Sequence, residues 1–303
     1  MQFDHENFRP GERLVIKVGG GISGLRLDNY LCSRFGHLSR AKMQRIILNQ
    51  EVLVNGQRGK PSRRVYFGDV VEFTLLSKEL VADDIPIDII YEDQDIIVVN
   101  KQPGILIHPA RGNSSGTLLN AIAHYAAGRF EPDVVHRLDR NTSGTMVFSK
   151  NQAANVALSA QFEGRETQKE YLAIVHGTPS PLCGQIEQPI GQADANSEKY
   201  AVMPEGRYAL TLYETISSSA DGLYSLVRLD LKTGRSHQIR VHLSHIGCPI
   251  VGDTLYGGKI DHIERCALHA QKLAFNHPTT GQRLEFNSPL PQDMAEAAEM
   301  LSL

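Results

Sequence analysis

A polar, acidic stretch from Ser77 to Pro86 separates two parts of opposite charge, so this chain has to build two cores rather than one. Residues 24–78 hold ten Lys and Arg against four acids, a local charge of +6, whereas residues 1–23 sum to zero. The whole chain carries −3, so the larger remainder carries −9. A basic module joined to an acidic one is the electrostatic footprint of a nucleic-acid-binding appendage. A length of 303 residues also points to two domains. With 41% hydrophobic and 21% charged residues, the composition is that of an ordinary globular protein.

The local pattern divides the chain further. Residues 1–23 read as an N-terminal extension with a short strand from Glu12 to Val18. Residues 24–76 read as a small module of two helices and a hairpin. Leu27, Tyr30, Leu31 and Phe35 recur at helical spacing, and Gly36 is placed to end that helix. Ser39 is an N-cap candidate for the second helix, whose apolar positions are Met43, Ile46 and Ile47. Val52-Leu53-Val54 enters an Asn55-Gly56 turn, and a further strand runs from Val70 to Leu75. Residues 77–86 read as a linker. From 87 to 303, β-rich segments mix with helical stretches at Thr117–Ala127, Asn151–Phe162 and near 237–246, without a regular βαβ period. The expected class is α+β around a mixed sheet.

Three segments of the larger domain carry side chains suited to chemistry. In the first, His136-Arg137-Leu138-Asp139-Arg140-Asn141-Thr142-Ser143-Gly144, an acid sits between two arginines that favour its ionised form. By local chemistry alone a surface turn is the favoured reading. In the second, Lys169, Tyr171 and Ala173 alternate onto one face of a strand. In the third, Thr233 to Leu243, Ser236 is placed to cap a helix running to Gly247, with Arg240 in its first turns.

His237, His242 and His245 lack the i, i+4 spacing and the paired acid or cysteine of a metal site, and none is expected. No G-x-S-x-G, GxGxxG or Walker A sequence supports a serine hydrolase or a nucleotide cofactor. Cys32, Cys183, Cys248 and Cys266 stand singly and read as free thiols. No run reaches the roughly 18 apolar residues of a membrane helix.

Taken together, the three segments resemble the RluA-type RNA pseudouridine synthases. The Asp139 segment is similar to that family's catalytic motif, and Lys169-Glu170-Tyr171-Leu172-Ala173 to its tyrosine motif. Gly234 to His242 resembles its arginine motif, which Gly247 to Asp253 extends. The basic module resembles an S4 RNA-binding domain through Arg26-Leu27-Asp28, Ser39-Arg40-Ala41, Val54-Asn55-Gly56 and Gly68-Asp69. Residues 84–93 and 289–294 look most like the group acting as large-subunit synthase D. Asn141 stands where the family commonly has an acid, and Gln192 where a basic residue is frequent.

The resemblance implies a central mixed, largely antiparallel sheet flanked by helices, plus an S4-like α/β module. It implies an isomerase without cofactor, with Asp139 as nucleophile, Arg240 as its ion-pair partner and Tyr171 against the uracil. A target in a stem is flipped out of the stack first, and Arg137 is the residue that would fill the gap. Other expected RNA contacts are His136, Arg140, Lys169, Arg235, His237 and Gln238, joined by Arg26, Arg40, Lys42, Arg45, Arg63 and Arg64 of the basic module. The implied setting is a cytoplasmic monomer acting on ribosomal RNA or the large-subunit precursor, with the stem-loop known as helix 69 as the pointed-to target. The rival reading is a non-catalytic ribosome-assembly protein on the same fold.

Overall fold

The computed structural model describes residues 13–20, 24–35, 40–49, 52–74, 81–109, 114–194 and 199–303. Contacts divide the chain into two compact units, Met1–Leu80 and Val81–Leu303.

The first unit contains β1 (Arg13–Lys17), β2 (Leu25–Arg26), α1 (Leu27–Arg34), α2 (Arg40–Asn49), β3 (Leu53–Val54), β4 (Gln57–Arg58), β5 (Arg64–Val65) and β6 (Val70–Thr74). The strand read as part of an extension, β1, is an edge of this unit's sheet and pairs antiparallel with β6 along its whole length. Its alternate residues Leu14 and Ile16 join Leu27, Tyr30, Leu31, Met43 and Ile47 in one core. Gly36 and Ser39, expected at the helix ends, lie outside the described residues, as do the side chains of Lys42 and Arg45.

Asp28 is the charged centre of this unit. Its fully buried carboxylate accepts from both Arg26 nitrogens at 3.0 and 2.9 Å, from Arg40 at 3.2 Å, from Gln44 at 2.6 Å and from the Asn29 N–H at 2.9 Å. Arg26 and Arg40, expected as RNA contacts, are thus committed to an internal anion, although both guanidinium groups keep a solvent-facing side. Arg64 is exposed and donates to the Gly24 carbonyl, and Arg63 is half-buried.

The second unit is a ten-stranded sheet with helices on both faces. Its elements are β7 (Asp88–Glu92), β8 (Ile96–Lys101), α3 (Leu118–Ala126), β9 (Asp133–Val134), β10 (Ser143–Ser149), α4 (Gln152–Gly164), β11 (Gln168–His176), β12 (Cys183–Glu187), β13 (Ile190–Gln192), β14 (Tyr200–Val202), β15 (Leu210–Ser218), β16 (Tyr224–Leu231), α5 (Gln238–His245), β17 (Leu268–Asn276), β18 (Arg283–Asn287) and α6 (Gln292–Met300). The strand order is β12-β15-β16-β11-β17-β10-β8-β7, with β18 beside β17 and β9 beside β10; β13 and β14 form a separate pair. All pairings are antiparallel except β10 with β17, so the sheet is mixed as expected.

β8 shows why the sheet needs cover on both sides. Its run Ile96-Ile97-Val98-Val99 is wholly buried: Ile97 and Val99 pack with α3 residues Leu118 and Ile122, and Ile96 and Val98 pack with Leu158 of α4. Thr117 caps α3 in a reciprocal capping box with Asn120. Val81 and Asp83, in the segment read as linker, bond to Asn120 and so dock onto this helix. A third core cluster joins Tyr171, Ala173, Val227 and Leu229 to Ile239 and Leu243 of α5 and to Met294 of α6. No described helix is long and apolar enough to cross a membrane.

The Asp28 cluster generates a pH prediction. Its hydrogen bonds, first those of Arg26, hold the Asp28 carboxyl well below the usual carboxylate range. A depressed native pKa stabilises the fold fully above the unfolded value of about 4, and that stability is lost as pH falls further. Asp28→Asn is expected to cost the first unit about 2 kcal/mol at pH 7 and to flatten its acid sensitivity. Amide exchange in α1 at neutral and acid pH, corrected for intrinsic rates, measures both.

Candidate active site

The loop between β9 and β10 carries Asp139, and it is tied down on several sides. Leu138 packs against two of the core clusters at once, which plugs the residue before Asp139 into the body of the domain. The Asp139 carbonyl accepts from the Thr142 N–H at 3.1 Å, closing a turn. Beyond it, Gly144 lies opposite Lys101 of β8 and against Ala270 of β17. With φ of 119° and a would-be Cβ only 2.2 Å from the Ala270 carbonyl oxygen, this position admits only glycine.

Lys101 is the loop's main clamp, and the sequence reading missed it. It is fully buried at the end of β8, and its Nζ donates to the carbonyls of Gln102, Arg140 and Thr142 at 3.0, 2.9 and 2.7 Å. Three acceptors use all three ammonium N–H groups. Burial draws its pKa down to about 7, against the opposing charge of Asp139. Arg265 adds a second clamp. It donates to the Asn141 carbonyl at 3.2 Å while gripping Asp293 at the start of α6 through two bonds of 2.6 and 2.7 Å.

Arg240 comes to Asp139 from α5. Its Nη1 donates to Asp139 Oδ2 at 3.2 Å, so the expected partners do meet. Its principal partner, however, is Asp253, which accepts from Nε and Nη2 at 2.7 Å each. The Arg240 side chain is 13% exposed, Asp253 2% and Asp139 32%. Arg240 therefore bridges a buried carboxylate and an open one. Burial opposes its charge, but the Asp253 bonds more than offset this and hold the guanidinium above its usual pKa. Its plane also lies 4.8 Å from the Tyr256 ring centre.

The start of α5 differs from expectation. Ser236 does not cap it; the capping position is His237, in a left-handed conformation with φ of 55° and without a side-chain cap. That twist turns the ring to Tyr256, whose hydroxyl lies 2.8 Å from Nδ1, and leaves Nε2 3.8 Å from Asp139 Oδ2. Tyr256 already accepts the Tyr200 N–H at 2.9 Å, so its own proton is available to Nδ1.

Gln238 is corrected more sharply. It is 2% exposed and is used up inside the fold: Oε1 accepts from Thr233 and the Arg235 N–H, and Nε2 donates to Leu210 and Thr211. It positions the turn and cannot reach RNA. Arg235 is anchored by an Nε bond of 3.0 Å to the Tyr208 carbonyl.

His136 also has fold duties. Its Nε2 accepts the Val147 N–H at 3.1 Å and its ring stacks on Phe162 at 4.6 Å. Burial, then the charge of Lys169, pushes its pKa down to about 3, so it is neutral. Lys169 is likewise shifted down by burial. His242 has both nitrogens occupied, by Thr211 at 2.9 Å and the Gln188 carbonyl at 3.0 Å. Arg140 donates to the Gly104 carbonyl at 2.8 Å. Arg137 is exposed and makes no hydrogen bond or ion pair with any described residue.

Tyr171 is buried beneath this constellation. Burial raises its phenol above the ordinary range and the Asp139 charge raises it further. It stays protonated at neutral pH, which suits packing and hydrogen-bond donation better than proton abstraction. The site thus offers one accessible carboxylate, one fixed cation, one oriented imidazole and one neutral phenol.

Two substitutions test the clamps. Asp253→Asn is expected to leave the fold intact but let Arg240 drift, lowering kcat about 100-fold with KM little changed. Lys101→Met should orphan the Gln102 and Thr142 carbonyls, the Arg140 carbonyl keeping the Gly104 N–H, destabilise the second unit by about 3 kcal/mol and lower activity with it. Steady-state kinetics and denaturant unfolding separate the two effects.

Comparison with known proteins finds relatives over nearly the whole chain. Residues 95–245 match the family described as RNA pseudouridylate synthase, and residues 25–71 match the S4 domain. An RNA pseudouridine synthase of Chlorobaculum parvum is 40% identical over 320 residues, covering 95% of this chain and 97% of the other. The ribosomal large subunit pseudouridine synthase D of Shigella flexneri is 38% identical over 310 residues, covering 95% and 94%. The structure of human RNA pseudouridylate synthase domain containing 4 superposes with a TM-score of 0.60 at 25% identity, covering 71% of this chain and 93% of that one. The chain belongs to the RNA pseudouridine synthase family and is an isomerase acting on RNA.

Proposed function

We propose that this enzyme converts uridines of large-subunit ribosomal RNA to pseudouridine, with Asp139 as the carboxylate that engages C1′ of the target. The observation that carries the reading is the division of labour around Arg240. Its two strongest bonds go to buried Asp253, and the third aims a one-third exposed Asp139 outward. A carboxylate held at one oxygen by a fixed cation, and open at its other side, is positioned to attack or to stabilise developing charge at a sugar carbon.

The reaction breaks the N1–C1′ bond, turns the uracil and joins C1′ to C5; a proton leaves C5 and one is gained at N1. It needs no redox partner. Tyr171 packs against the base throughout, and its raised pKa keeps it neutral. Arg137, without a hydrogen bond or ion pair among the described residues and two residues from Asp139, has the planar cation suited to fill a vacated base stack. The ribosomal target rests on the S4 match and on the relatives named for the large subunit.

Asp139→Ala is expected to reduce tritium release from 5-tritiated uridine RNA on the order of 10³-fold or more while RNA binding persists. Near-normal turnover in that protein would remove Asp139 from the chemistry. Free uracil among the products would instead mark a glycosidase. Mapping pseudouridines in large-subunit RNA with and without the enzyme, helix 69 included, tests the target.

A further inference from the structure

The turn from α4 into β11 carries an arginine where a helix end ordinarily takes glycine. Arg165 follows Gly164, ends the helix and adopts a φ of 61°, a left-handed conformation that disfavours a side chain. Backbone strain of this kind clusters where a side chain has to be aimed. The Arg165 guanidinium lies 5.8 Å over the ring of Tyr208, which is 45% exposed and offers its other side to solvent.

Behind Arg165 opens a cleft of about 240 Å³, lined by residues 165–168 on one side and 230–232 on the other. It is smaller than the roughly 300–1,000 Å³ of drug-sized sites, a size that suits one planar base. One of its lining groups lacks a partner. Thr167 is only 7% exposed, and its fully enclosed hydroxyl has no hydrogen-bond partner among the described residues. Buried hydroxyls are nearly always bonded, so this one is left unsatisfied in the free protein, enclosed as placed, and a turn of the Thr167 side chain would present it to a ligand in the cleft.

The charges around the cleft define that ligand. Lys232 is paired with Asp230, and Glu166 follows Arg165 in the lining. The balance is close to neutral, with donors and acceptors interleaved. That favours the edge of a base over a phosphate.

The cleft also adjoins the active site. Glu170 pairs with Asp230 and Tyr171 with Leu229, so it lies at the end of the sheet where Tyr171 stands. Gln168 is three residues before Tyr171, about 10 Å along the strand. Arg235, bonded to the Tyr208 carbonyl, ties this wall to the turn that presents His237 and Arg240.

We propose that this cleft is a subsite for an unpaired base flanking the target uridine, received against Thr167 and Gln168 with the Arg165–Tyr208 stack as its outer wall. The proposal rests on the reading of Asp139 as the reacting carboxylate, which fixes where the target lies.

The test is conversion of a stem-loop RNA and of versions carrying an abasic site at each unpaired position near the target. For the normal enzyme, one abasic position is expected to lower kcat/KM about tenfold. Thr167→Val removes a hydroxyl that has no partner in the free protein, and Arg165→Gly relieves the left-handed strain, so both should melt at or above the normal temperature. Each is expected to convert intact RNA several-fold less efficiently and to lose nothing further on the sensitive abasic RNA. Such coupling in either variant places the base in the cleft. Insensitivity of the normal enzyme to every abasic position, equal losses on intact and abasic RNA, or no loss in either variant overturns the proposal. Failure of the normal enzyme to convert the intact stem-loop would count against the ribosomal target instead.

Discussion

The bidentate bond between Asp253 and Arg240 is the interaction on which the site depends. A guanidinium with 13% of its side chain exposed could not be held there by Asp139 alone, because that carboxylate is partly solvated and meets it through one nitrogen. Asp253 supplies two charge-assisted bonds in the fork geometry that suits arginine. The pair is nearly removed from water, so its strength is little screened, and Arg240 becomes a fixed feature of the fold rather than a mobile side chain. Only then can its remaining nitrogen aim Asp139 without giving up its own place. A lysine could offer the charge but not the fork.

The same logic runs through the loop that carries Asp139. Its carbonyls face inward, where an unpaired C=O would be costly, and the protein meets them with buried cations as well as with the backbone N–H groups of Gly104 and Thr142. Lys101 takes three carbonyls, counting its neighbour Gln102, and Arg265 takes Asn141. Both cations are anchored in other elements, β8 and the segment before β17. The loop is thereby fixed to the two strands flanking β10, which enters the sheet at Gly144. Arg265 also grips Asp293, so the start of α6 is part of the same scaffold.

How much of this was legible in the sequence depended on the range of the interaction. Helical spacing placed α3, α4 and α5 through their apolar faces, and the alternation of Lys169, Tyr171 and Ala173 placed β11, although that strand is buried on both faces from Tyr171 to Val175. The pairing of Asp139 with Arg240, 101 residues apart, came only through resemblance. Lys101 was hidden for a physical reason: it ends an apolar strand, and a lysine there reads as the exposed terminus rather than as a buried clamp. Ser236 looked like a cap because serine favours that position, but the turn needed His237 in a left-handed conformation to reach Tyr256. Gln238 looked like a polar contact because nothing local reveals that four partners await it. The first strand was set apart because its partner β6 lies more than fifty residues away.

The distribution of committed charges also answers why an RNA enzyme can carry a net charge of −3. Arg26 and Arg40 share Asp28, and Arg240 and Arg265 are bound to Asp253 and Asp293, so most of this charge is cancelled at a distance. Affinity for a phosphate backbone depends on cations free to displace counterions, not on the sum over the chain. Arg137 is such a cation, exposed and unpaired among the described residues beside the Asp139 carboxylate. The net charge therefore reports solubility, and the local arrangement of free and locked cations reports the RNA-facing surface.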